Sequence, residues 1–345
     1  MDVWIAEILV SLPLIVLFVV IAISLLTLMK GADLLVDQAV SLSIRWGVPK
    51  ILIGATIVSL GTTLPEVAVS VMAAVQGVPG LALGNAVGSI ITDTGLILGL
   101  AILIGRVPVN QMIVSRQSWI QLGSTVLLVL VSLPYLSLSQ IFKESGNMPQ
   151  YIGWIFLLLL GIYIWQSIAW SRRVPADNID DSTITIHTEK SSFLAGIELV
   201  LGIILVIISS KVLIPVVQET AIRLYIPDAI IAATLVAFGT SLPELVTAIK
   251  AVRKGHGELA LGNILGADIF NVLFVSGAAA AVTRGGLQVP PQFFYLFFPS
   301  MLFVVIMLRL GIGRTSHQFS KLFGVILLLS YILTVVLGYV VPGGN

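Results

Sequence analysis

Residues 55–77 of this chain, ATIVSLGTTLPEVAVSVMAAVQG, return 178 positions later as ATLVAFGTSLPELVTAIKAVRKG (233–255), with ten of 23 positions identical. At the same offset, LALGNAVGSIITDTGLILGL (81–100) meets LALGNILGADIFNVLFVSGA (259–278), with eight of 20 identical. One ungapped offset across two separate blocks makes the chain two homologous halves, so each half must fold in the same way. The chain is 57% apolar and 10% charged, with a mean hydropathy of +1.08. A soluble protein carries about 25% charged residues. So few charges cannot coat a water-soluble core, and disorder is excluded for the same reason. The halves are therefore expected to lie in a membrane.

A helix-length window places ten helices roughly at 9–44, 49–76, 80–105, 112–135, 149–171, 192–224, 228–254, 258–282, 289–310 and 317–341. The first run has no basic region before it and no small-residue cleavage site after it, so it reads as a retained span. The first and sixth are longer than a perpendicular crossing needs and should tilt. The second, third, seventh and eighth are rich in Gly, Ser, Thr and Pro, and they carry the duplicated blocks. Five helices per half is an odd number, so the second half must enter the membrane from the opposite face. The expected fold is an all-α integral membrane protein of ten transmembrane helices, built as two inverted-topology five-helix repeats. Residues 1–171 form the first repeat, 172–191 a solvated cytoplasmic linker and 192–345 the second repeat.

Charge sets the orientation. Of 18 Lys and Arg residues, twelve fall on the side opposite the termini, among them Arg45, Lys50, Arg106, Arg116, Arg253 and Arg314. Only Lys143, Arg223 and Arg284 fall on the termini side, while Lys30, Lys211 and Lys250 lie within helices. The positive-inside rule then makes both termini extracytoplasmic in a multi-pass cell-membrane protein. The formal net charge is +1, so nothing favours nucleic acid. There is no cysteine, which removes disulfides, thiolate metal sites and cysteine nucleophiles.

Each copy of the first block puts an acid directly after a proline, at Glu66 and Glu244. A carboxylate at membrane depth is costly unless it is paired or functional. The prolines deprive the carbonyls of Gly61 and Gly239 of their helical donor, and a cation could coordinate such freed carbonyls. Ser59, Thr62, Thr63 and Glu66 share roughly one helix side, and their counterparts are Ala237, Thr240, Ser241 and Glu244. In the second block Asn85, Ser89 and Asp93 recur every four residues on one face, with counterparts Asn263, Ala267 and Asn271. Together these form an all-oxygen set without His or Cys, suited to a hard cation such as Ca²⁺. Ordinary structural roles compete with this reading. A Ser or Thr in a membrane helix usually bonds its own i−4 carbonyl. Gly84, Gly88, Gly262 and Gly266 are typical close-packing residues, and Asn85 and Asn263 could bind helices together.

GTTLPE (61–66), GTSLPE (239–244), GNAVGS (84–89) and GNILGA (262–267) resemble the two alpha-repeats of the calcium/cation antiporter superfamily, in particular its prokaryotic sodium/calcium exchanger type. The resemblance extends over nearly the whole chain. It implies that Glu66 and Glu244 bind Ca²⁺, that Thr62 and Thr240 add oxygens, and that Thr63, Ser241 and Ser89 serve flanking Na⁺ sites. It also places Asp93 and Asn271 at the positions where family members often carry one acid and one amide, which favours sodium over proton coupling. Two residues depart from the pattern. Ala267 stands where a Ser is usual, beside the extra acid Asp268. Lys211 stands where a small or acidic residue is common; it could snorkel or pair with Glu198 or Glu219.

The resemblance thus implies a secondary antiporter exchanging Na⁺ for Ca²⁺ by alternating access, with ions at the midplane between the repeats. A pocket of about three negative charges can be neutralised by one Ca²⁺ or by several Na⁺, but not by both sets together. The nearest alternative is Ca²⁺/H⁺ exchange. A cation channel or an intramembrane hydrolase fits less well, because His187, His256 and His317 lie in loops or at helix ends and form no HExxH motif. No cofactor is implied, since Ca²⁺ and Na⁺ are the transported ions. The partners are these ions and the lipid bilayer, with no obligatory protein partner.

Overall fold

The computed structural model describes residues 11–135, 138–171, 192–223, 237–315 and 317–340. The described chain is almost entirely helical. Its first helix, α1 (Leu14–Trp46), is followed by the bent pair α2 (Lys50–Thr62) and α3 (Leu64–Val75), then α4 (Pro79–Ile104). Next come α5 (Gln111–Ser132), α6 (Gln150–Ser171) and α7 (Ser192–Arg223). The second bent pair is α8 (Ala237–Thr240) and α9 (Leu242–Arg253). It is followed by α10 (Gly257–Val282), α11 (Phe293–Arg314) and α12 (Lys321–Val340). Two three-residue strands, β1 (Gly146–Met148) and β2 (Leu287–Val289), pair antiparallel with Gly146 opposite Val289.

Among the described residues seven helices are long and apolar enough to cross a membrane, and the pair α2 and α3 makes an eighth. This is fewer than the ten expected from the sequence, for two reasons. Helix α5 has 22 residues but buries Gln117, Ser118, Gln121, Ser124 and Thr125, so it is long enough yet too polar. The expected span 228–254 begins at residues outside the described part, as does the linker 172–191. The expected helix 289–310 starts later, at Phe293. Ahead of it, Gly285 and Gly286 turn the chain at φ 85° and 101°, angles that L side chains rarely adopt, and β2 runs extended into Pro290. The Asn110 side chain caps α5, accepting from the amides of Met112 and Ile113 at 3.2 and 3.4 Å.

Two helices form the centre. The share of residues buried is 89% in the spanning stretch of α10 and 72% in α4, against 22% in α1 and 17% in α12. Helices α1 and α7 are the longest, with 33 and 32 residues. At 1.5 Å per residue each is about 50 Å long, well beyond the roughly 30 Å of a bilayer's hydrocarbon core. They pack backbone to backbone. A Cβ on Gly31 would lie 3.1 Å from the Gly202 carbonyl, and one on Gly202 would lie 3.0 Å from the Gly31 carbonyl.

The helical lysine Lys250 meets Asp33 of α1 at 3.0 Å. Lys254, just past α9, meets Asp33 at 3.2 Å and Asp37 at 2.8 Å. Burial works against the charge on Lys254, but the two aspartates outweigh it and hold its pKa above the ordinary lysine value. In the turn before α10, burial and then the charge of Lys50 push the pKa of His256 down. Lys211 is exposed, and Glu219, one of the acids within its sequence neighbourhood, pairs with Arg223 at 2.7 Å.

Candidate functional site

The prolines break the helices where the sequence places them. Pro65 and Pro243 occupy the first turn of α3 and α9, positions where a missing N–H costs nothing. The residues at the two breaks share one backbone conformation: Thr63 has φ −84°, ψ −5° and Ser241 has φ −84°, ψ 8°. The first break bends the pair by 44°. Glu66 and Glu244 each follow in the opening turn of the second piece. That is the end of a helix that favours negative charge.

A second kind of irregularity is invisible in the sequence. Among the described residues four segments wind as π-helix: Gly54–Val58 in α2, Thr92–Ile97 in α4, Asn271–Ser276 in α10 and Phe293–Phe297 in α11. The second and third hold the repeat-related pair Asp93 and Asn271. A π-turn frees carbonyls and widens the helix, and such turns are frequent at functional sites. In α2 side chains take up the freed carbonyls. The Ser59 hydroxyl donates to Gly54 O at 2.7 Å, and Tyr163 of α6 donates to Ala55 O at 2.9 Å.

Helices α2 and α10 meet without room for any side chain. A Cβ on Gly262 would lie 2.1 Å from Ile51 O, and one on Gly266 would lie 2.2 Å from Ser59 Oγ. For these two glycines the packing role holds. The residues equivalent to Ile51 in the second half, which would face Gly84, fall outside the described part. Ala237 begins α8, and its side chain also lies outside the described part.

The two halves exchange an identical hydrogen bond with the roles reversed. Thr240 of α8 donates to Asn85 Oδ1 of α4 at 3.1 Å, and Thr62 of α2 donates to Asn263 Oδ1 of α10 at 3.4 Å. Asn85 is fully used, because its Nδ2 also donates to the Glu66 carbonyl at 3.2 Å and to Ser70 Oγ at 3.0 Å. Ser70 was not anticipated, and it donates in turn to Ala82 O. Replacing Asn85 with Ala removes three bonds in a buried layer. We expect a loss of about 2 kcal/mol in stability, read as detergent-solubilised unfolding. A loss below about 0.5 kcal/mol would contradict the geometry.

At this crossing lie acids without partners. Glu66, Asp93 and Glu244 are each 1% exposed, and among the described residues none of their six carboxylate oxygens has a hydrogen-bond partner. They lie close enough for their charges to repel, Glu66 with Glu244 and Asp93, and Glu244 with Asp93. Thr62 lies beside Glu244, and Ser241 lies beside Asp93. Thr63 Oγ1, Ser89 Oγ, Ser241 Oγ and Asn271 Oδ1 are also buried and unpartnered. Ser59 and Thr240 differ, since their hydroxyls are spent on Gly54 O, Asn263 O and Asn85. Among the described residues no three His, Cys, Asp or Glu groups converge tightly enough to hold a metal by themselves. A bound ion here would therefore need hydroxyl, amide and carbonyl oxygens beside the carboxylates.

Three buried carboxylates thus lie among hydroxyl and amide groups, with no cationic side chain bonded to them among the described residues. A buried unpaired carboxylate costs several kcal/mol, and three of them are tolerable only where positive charge arrives. Residues 16–169 and 195–340 match the family described as "Sodium/calcium exchanger protein". The chain is 34% identical to the inner membrane protein YrbG of Escherichia coli, over 92% of this chain and 95% of that one. It is 30% identical to the sodium/calcium exchanger MaX1 of Methanosarcina acetivorans, over 94% and 99%. Its fold matches the sodium-calcium exchanger NCX_Mj, solved after soaking with 10 mM Na⁺ and 10 mM Sr²⁺. The TM-score is 0.78 at 23% identity, covering 94% of this chain and 99% of that one.

Fold and relatives together define a multi-pass, all-helical membrane transporter of cations rather than an enzyme. The chain belongs to the sodium/calcium exchanger family.

Proposed function

We propose that this chain exchanges Na⁺ for Ca²⁺ by alternating access, with both ions bound at the midplane between two inverted five-helix halves. Glu66 and Glu244 are the Ca²⁺ carboxylates, and Thr62 and Thr240 line the same centre. Thr63, Ser241 and Ser89 supply flanking oxygens for Na⁺, with Asp93 and Asn271 completing the shell. The single observation that carries this reading is the set of six unpartnered, fully buried carboxylate oxygens on Glu66, Asp93 and Glu244. The reciprocal Thr62–Asn263 and Thr240–Asn85 bonds support a two-fold relation between the halves.

The chemistry follows from charge. Ca²⁺ takes about six to eight oxygens in flexible geometry, which suits a mixed set of carboxylates, hydroxyls and amides. One Ca²⁺ or several Na⁺ can balance the acids, and crowding prevents both at once. An empty pocket keeps its negative charge and resists moving through the low-dielectric barrier, so ions do not leak. The long pair α1 and α7 is the sliding element, moving around a fixed site. The excess of Lys and Arg opposite the termini supports an orientation with both termini outside the cytoplasm.

The deciding measurement is ⁴⁵Ca²⁺ uptake into proteoliposomes with pH clamped on both sides. An outward Na⁺ gradient should drive uptake, and equal Na⁺ on both sides should abolish it. Uptake driven only by a proton gradient would overturn sodium coupling.

A further inference from the structure

Beside the proposed centre lies a fourth buried acid that neither duplicated block predicts. Asp268 of α10 is 0% exposed. Its Oδ2 accepts from Thr94 Oγ1 of α4 at 2.5 Å and from Gln121 Nε2 of α5. Its Oδ1 has no partner. Gln121 is also 0% exposed, and its Oε1 has no partner either. With Asp268 ionised, Oδ2 can only accept and draws the Nε2 end of the amide. Two buried acceptors on bonded side chains then lack partners among the described residues.

Three fates are open to such a carboxylate. Pairing with a cationic side chain is not one it has taken: among the described residues both of its hydrogen-bond donors are neutral. As a neutral acid it can hold its O–H on Oδ2 against Thr94 Oγ1, which still leaves Oδ1 without a donor. A small cation drawing on Asp268 Oδ1 and Gln121 Oε1 satisfies both atoms and leaves the Thr94 and Gln121 donors on Oδ2. The charge of Asp268 also acts on Asp93 and Glu244, so an ion held here is electrostatically coupled to the centre.

We propose that Asp268, Gln121 and Thr94 form a second, accessory site that binds one monovalent alkali cation. One full negative charge among neutral oxygens matches a single positive charge better than a divalent ion. The site draws on α5, which lies outside the repeated blocks, so it is present once rather than twice. The inference rests on the reading of the chain as a cation exchanger, and its test separates the two.

Purified full-length protein in Ca²⁺-free detergent is heated in NaCl, KCl or choline chloride at equal ionic strength. In parallel, ⁴⁵Ca²⁺ uptake is measured against Na⁺ concentration. Wild type should be stabilised by Na⁺ or K⁺ over choline, and the preferred ion identifies the occupant. D268N should lose the part of that stabilisation that the accessory ion supplies, keep the part given by the central Na⁺ sites, and raise the half-saturating alkali-cation concentration about tenfold, with a smaller change in Ca²⁺ half-saturation. Q121L and T94V, which keep the carboxylate, should shift the same parameter in the same direction if D268N does not fold. Equal stabilisation of wild type and all three variants by alkali cations overturns the inference. So does a wild type stabilised no better by Na⁺ or K⁺ than by choline. Na⁺-driven flux that stays normal in D268N sinks the accessory site but leaves the exchanger reading intact. Cation stabilisation lost in D268N, in a protein without Na⁺-driven flux, does the reverse.

Discussion

Glutamine in place of Glu66 or Glu244 abolishes Na⁺-gradient-driven Ca²⁺ uptake, with a fall of at least about 100-fold, equivalent to some 3 kcal/mol. The substitution keeps the shape of the side chain. It removes one full charge from a layer where the carboxylate oxygens have no hydrogen-bond partner, and it introduces an N–H₂ donor where a cation requires acceptors. A neutralised wall also lowers the number of positive charges the pocket can balance, so both ions of the exchange should be affected. Reconstituted E66Q and E244Q are compared with E144Q, whose parent acid is exposed outside the helices and whose uptake should match wild type. Wild-type uptake by either E66Q or E244Q removes that residue from the site.

Alanine at Gly262 destroys the fold rather than the chemistry. Its Cβ would lie 2.1 Å from Ile51 O and 2.8 Å from Ile51 C. No rotamer relieves a clash with backbone, so α2 and α10 must separate along their whole contact. Overpacking of this kind costs about 3 kcal/mol or more. G262A should therefore show sharply reduced folded yield and a lower unfolding temperature in detergent. Gly123 on α5 is the contrasting position: it is exposed and, among the described residues, a Cβ there meets nothing within 4 Å, so G123A should be mild. Equal stability of G262A and wild type would show that the two helices do not touch at this point.

The contrast between those two glycines shows where sequence reading succeeds. GTTLPE and GTSLPE revealed the breaks because proline acts locally: it removes one donor in a known place, and Thr63 and Ser241 adopt the bend. The buried acids were legible for a similar reason, since a carboxylate in an apolar stretch is costly wherever it is. The π-turns at Thr92–Ile97 and Asn271–Ser276 were not legible. No residue type in the two segments marks a π-turn, and their sequences TDTGLI and NVLFVS share no residue at matching places. Ser59 shows how a correct polar position can still mislead, because its hydroxyl is consumed by the π-turn carbonyl of Gly54. Helix α5 is the expected span that length and composition alone do not bear out, because it also carries Arg116, Gln117, Ser118, Gln121, Ser124 and Thr125. The spacing of Gln117 and Gln121, four apart, was the available signal that its polar face is buried. The strands were missed because three residues are too few to show a period of two.

Those strands bear on how the molecule is made. β1 lies in the first half and β2 late in the second, and Gly146 cannot find Val289 until the ribosome has passed it. The Asn85–Thr240 bond and the contact of α2 with α10 impose the same delay. Contacts between distant parts of a chain form slowly, because loop closure must precede them. Contacts that join the two halves can therefore form only after the second half has been made.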